Sequence, residues 1–79
     1  MSRASAVVEA VAKALADRPD SVHVTERDAR GQLFVELTMA PGDMGRVIGR
    51  QGRTAQAVRT LANLAGEIDG VRVNVDFRD

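Results

Sequence analysis

The sequence predicts an α+β domain in which a three-stranded mixed sheet is covered on one face by three helices. Three observations carry that expectation. Apolar residues recur at helical spacing over 4–16 and again over 53–66. They alternate with polar residues in "SVHVTE", "LFVELTM" and "VRVNVDF", the pattern of half-buried strands. Three such strands need one covering layer, and three helices can supply it.

Taken in order, residues 4–16 place Val7, Val8, Val11, Ala12 and Leu15 at helical spacing, with Glu9 and Lys13 pointing elsewhere. "DRPD" stops this helix, because Pro19 disfavours helical geometry at Arg18. Val22 and Val24 then face one way, His23 and Thr25 the other, and "RDARGQ" reads as a polar turn containing Gly31. Leu33, Val35, Leu37 and Met39 share one face of the next strand, so the pair forms an antiparallel hairpin. In "APGDMGRVIG", Pro41 suits a first helical turn and Asp43 is placed to favour its amides; this short helix ends by Gly49. The helix over 53–66 follows, with Gly66 as its C-cap. The last strand sets Val71, Val73, Val75 and Phe77 inward and Arg72, Asn74 and Asp76 outward. As neighbours separated by a helical crossover, the strands at 33–39 and 71–77 should be parallel and joined right-handedly.

Composition narrows the function classes. The 79 residues are expected to form one domain, 1–79, with an ordinary 44% apolar and 28% charged content. A chain this short buries only about 60% of its unfolded surface, so burial against a partner would help it. There is no cysteine, hence no disulfide framework and no thiolate metal site. Glu9, Lys13 and Asp17 interrupt the apolar N-terminal segment, which leaves neither a signal core nor a membrane span and points to the cytoplasm. His23, the only histidine, cannot make a metal site or a triad alone. No window satisfies G-x-x-x-x-G-K-S/T or G-x-G-x-x-G, so neither nucleotide hydrolysis nor hydride transfer is supported. The chain is expected to be no enzyme and to need no cofactor, metal or small-molecule substrate. Glu26, Asp28, Glu36 and Asp76 read as solvent-facing groups that aid solubility and protect strand edges.

Charge is balanced overall but uneven along the chain. Eleven basic and eleven acidic residues sum to zero, yet Met44 to Gly66 holds Arg46, Arg50, Arg53 and Arg59 with no acid at all. That is a site-sized positive segment in a neutral protein. At its centre stands "VIGRQGRT". Gly49 and Gly52 can adopt φ > 0 and admit a close backbone. The amides opening the second helix, with its positive dipole end, favour an anion. Arg46, Arg50 and Arg53 add charge at the same end, while Val47 and Ile48 offer an apolar surface. On the residues alone, this fits a single-stranded polyanion lying in an apolar groove.

V-I-G-R-Q-G-R between two helices resembles the GxxG signature of the KH domain, whose loop clamps about four nucleotides. The element order, α-β-β-α-α-β, matches the type II KH fold. "APGDMGRVIGRQGRTAQAVRTL" closely resembles the matching stretch of the small bacterial single-KH proteins of the KhpA/YlqC type. The likeness runs essentially end to end and includes "ADRPDSVHV". It implies a single-stranded RNA-binding protein, an RNA chaperone or post-transcriptional regulator. Gly49, Arg50, Gln51 and Gly52 would be its phosphate-contacting loop, with Val47 and Ile48 at the groove and Arg46 and Arg53 flanking it. The only aromatics, Phe34 and Phe77, lie outside the motif, so recognition would rest on backbone contacts, aliphatic packing and base-edge hydrogen bonds.

The helix over 53–66 spreads its apolar residues across about 180°, wider than the roughly 100° one core contact requires. Its Ala57, Leu61 and Leu64 edge is therefore expected to meet another subunit. The resemblance implies a homodimer, or a heterodimer with another KH-containing protein. A second reading stays open, in which the loop is a remnant and the Leu61/Leu64 surface carries the function.

Overall fold

The computed structural model describes residues 1–78. Helix α1 (Arg3–Leu15) is followed by strands β1 (His23–Ala29) and β2 (Gln32–Thr38), helices α2 (Met44–Ile48) and α3 (Arg53–Ile68), and strand β3 (Arg72–Arg78). Single 3₁₀ turns sit at Pro19–Ser21 and Arg50–Gly52. The sheet order is β1-β2-β3, with β1 antiparallel and β3 parallel to β2. This is the α+β, α-β-β-α-α-β arrangement expected from the periodicities.

The most apolar strand is central because both its neighbours help to bury it. Leu33, Val35 and Leu37 point into the core, and in register beside them on β3 stand Val73, Val75 and Phe77. Val8 and Ala12 of α1 and Val58 and Ala62 of α3 close over this layer. Fully buried alanines at 12 and 62 allow the two helices to pack closely on each other and on the sheet. The opposite face of the sheet carries polar groups and Phe34, with the Arg27 guanidinium 4.8 Å above its ring.

Four local expectations are corrected. The "RDARGQ" turn is tighter than read: Arg27, Asp28 and Ala29 belong to β1 and pair with Phe34, Leu33 and Gln32. Arg30 and Gly31 alone make the turn, both at positive φ, as a two-residue hairpin loop matched to strand twist requires. Gly66 is no cap either. It lies buried within α3, where a Cβ would come 2.8 Å from the Val71 carbonyl oxygen. The helix ends at Ile68 in a Schellman motif: the Val71 N–H donates to the Gly66 carbonyl (2.9 Å) and the Gly70 N–H to that of Glu67 (3.2 Å).

Asp43 immediately precedes α2 but does not cap its amides. Its side chain turns back, and Oδ2 accepts the Arg18 N–H at 3.0 Å. Glu26, finally, is more than a solvent-facing charge. Ser2 caps α1 by accepting the Ser5 N–H (3.0 Å), while the Glu26 carboxylate accepts from the Ser2 N–H (3.2 Å), the Ser2 hydroxyl (2.7 Å) and the Ser5 hydroxyl. In a capping box the reciprocal acid comes from the helix itself; here β1 supplies it across the fold. The two serine hydroxyls, Ser5 first, hold the Glu26 carboxyl below its ordinary value.

Candidate nucleic-acid interface

Helix α2 is little more than one turn, and its inward side is set by Met44 and Val47, three apart and both buried. Val47, at 1% exposed, is part of the core and does not line the surface as expected. Ile48 is half-buried beside Gly49 and packs against the core, which leaves it the one apolar residue of the pair with exposed surface. Gly45 and Arg46 lie on the exposed side.

The chain leaves α2 through Gly49 at φ 73°, ψ 176°. Arg50–Gly52 then form one 3₁₀ turn, closed by the Gly52 N–H on the Gly49 carbonyl at 3.2 Å. Gln51 and Gly52 both take left-handed backbone, at φ 57° and 72°. The two glycines serve different needs. A Cβ on Gly49 would sit 2.8 Å from Thr54 Cβ, because the first turn of α3 folds back against the loop. Around Gly52 nothing lies within 4 Å of where a Cβ would be, so the backbone there faces open space. Gly52 also stands at the N-cap of the sixteen-residue α3, where it offers no side chain to the first amides. The positive end of the helix dipole is thus directed at an uncovered corner.

Arg50 and Gln51 are exposed at the tip, and Arg53 is exposed in the first turn of α3 with Nη2 donating to Gln51 Oε1 at 3.5 Å. Neither Arg50 nor Arg53 has an ion-pair partner among the described residues. Arg46 differs: its Nη2 donates to Asp17 Oδ2 at 2.8 Å. Asp17 and Thr54 are the members of this corner that sequence reasoning missed. Asp17 arrives from 29 residues away and carries no local signal, whereas Thr54 stands within the motif but its folding back is a tertiary fact. Arg59 leaves the group, lying 4.7 Å over the Phe77 ring on β3. His23 is exposed on β1, and among the described residues no cluster of His, Cys, Asp and Glu could hold a metal ion.

Helix α3 divides its apolar residues between two faces. Ala55, Val58, Ala62 and Ala65 enter the core. Ala57, Leu61 and Leu64 are exposed, the two leucines at 47% and 52%. Ile68, 71% exposed, extends the same stripe at the next helical repeat. No helix among the described residues is long and apolar enough to cross a membrane.

Residues 5–77 match the family model described as KhpA/KhpB, KH domain. A protein of Caldanaerobacter subterraneus named RNA-binding protein KhpA is 49% identical over 90% of this chain and 95% of its own length. Its namesake in Halalkalibacterium halodurans is 47% identical over 92% and 96%. That of Aquifex aeolicus is 42% identical over 98% of both chains. No solved structure matches.

Proposed function

The chain belongs to the KhpA/KhpB KH-domain family, and from that premise we propose that it binds single-stranded RNA at the Gly49–Gly52 corner. The observation that carries this reading is the loop tip itself: two arginines without acidic partners beside a backbone open to approach at Gly52. Phosphates lie along Arg50, Gln51, Gly52 and Arg53, drawn also by the start of α3. Bases rest against Ile48. Both phenylalanines belong to strands rather than to the loop and already have arginines over them, so stacking on an aromatic ring is not part of this site. One copy therefore binds with modest affinity and loose sequence preference. The protein acts as a binding module, an RNA chaperone or post-transcriptional regulator of the cytoplasm, and performs no chemistry on the RNA.

The exposed stripe on α3 supports a paired form. Two copies, or one copy and another KH-containing chain, meet at Ala57, Leu61, Leu64 and Ile68, and two RNA sites on one particle raise the effective affinity. The double change Arg50→Asp with Gln51→Asp tests the RNA site. It sets two negative charges on the phosphate path without touching the core, so oligonucleotide binding is expected to be lost while circular dichroism stays unchanged. Unaltered binding would reject the site.

A further inference from the structure

We infer that Asp17 sets the strength of the RNA site by holding Arg46 away from phosphate, an inference that rests on the reading of the Gly49–Gly52 corner given above. Asp17 lies just beyond α1, and two contacts tie this stretch to α2. Asp43, only 5% exposed, accepts the Arg18 N–H at 3.0 Å, and the Arg46 guanidinium donates to Asp17 at 2.8 Å. The first contact fixes the backbone one residue from Asp17, and Pro19 restricts the chain immediately after it. The carboxylate is thus delivered to Arg46 by an anchored backbone rather than by a free loop.

The consequence is electrostatic. Of the three arginines at the corner, Arg46 alone has an acidic partner among the described residues. The pair is exposed, hence weak, but its carboxylate stands 2.8 Å from the guanidinium, where it offsets the charge offered to an RNA phosphate and repels that phosphate as it arrives. Asp17 trims the corner from three available cations to two. Removing its charge frees the third.

The test is a salt series of binding to labelled, unstructured oligouridylate for the unmodified protein, Asp17→Asn, and Asp17→Asn with Arg46→Ala. Two phosphate contacts on a single strand give a log–log slope of about −1.4, and a third brings it to about −2.1. Asp17→Asn is expected to steepen the slope by that step and to tighten low-salt binding about two- to fivefold. Adding Arg46→Ala cancels both gains. The part-buried Asp43–Arg18 contact is untouched by either change, so the fold supplies no rival cause. Asp17→Asn binding with an unaltered slope, or binding more weakly, would overturn the inference while leaving the RNA site standing. No binding by the unmodified protein would overturn the RNA reading and the inference together.

Discussion

Gly49 and Gly52 look equivalent in the sequence and are not equivalent in the fold. Both have positive φ. Gly52 (ψ 14°) is left-handed, where a side chain costs about 1–2 kcal/mol. Gly49 (ψ 176°) takes a conformation essentially reserved for glycine, where a side chain costs about 1–3 kcal/mol. Only Gly49 also faces Thr54, so a methyl group there adds an overpacking penalty of about 1–3 kcal/mol. Gly49→Ala is therefore expected to lower the urea midpoint clearly more than Gly52→Ala does. Equal shifts would contradict both the backbone conformation at Gly49 and the closure of the loop by Thr54. At this scale the motif was legible, because residue type and spacing alone announced a bend ringed by arginines. The direction of each side chain was not. Val47 reads as a groove residue until α2 places it with Met44 on its inward side, and nothing local marks Asp17 as the partner of Arg46.

Among the elements, α1 depends on an acid that it does not contain. Glu26 on β1 ties down the Ser2 cap and the Ser5 hydroxyl, and its carboxyl is held below the ordinary value. A carboxyl depressed in the folded state contributes stability that is fully present above its unfolded pKa and lost as pH falls through the folded pKa. Glu26→Gln should therefore cost about 0.5–1 kcal/mol near neutral pH, the scale of an exposed cap. The difference from the unmodified protein should shrink as the solution is acidified below the usual carboxylate range. Chemical denaturation at several pH values checks this, and a pH-independent difference would deny the cap its charge. Element types were legible from the periodicities of two and 3.6. Their ends were less so. Gly66 reads as the helix stop, yet the chain stays helical to Ile68 and Gly70, at positive φ, takes the terminating position instead.

For the whole molecule, the small core and the α3 stripe belong to one balance. Leu61, Leu64 and Ile68 expose apolar surface that a chain of this size would gain by covering. Sedimentation should show a dimer, and Leu61→Glu should yield a folded monomer with weaker binding to long RNA; a monomer before mutation would end the pairing proposal. That breadth of apolar surface was visible in the sequence, since a 180° spread on one helix exceeds what one core contact uses. The sequence could not show that Ile68 joins it, because the helix end was misplaced. The most direct test of the central claim is a titration of isotope-labelled protein with an unstructured RNA oligonucleotide at low salt, followed through its amide resonances. The amides of Gly49, Arg50, Gln51, Gly52 and Arg53 should move first and furthest and then saturate. If they stay in place while RNA is added to excess, the loop is not an RNA site.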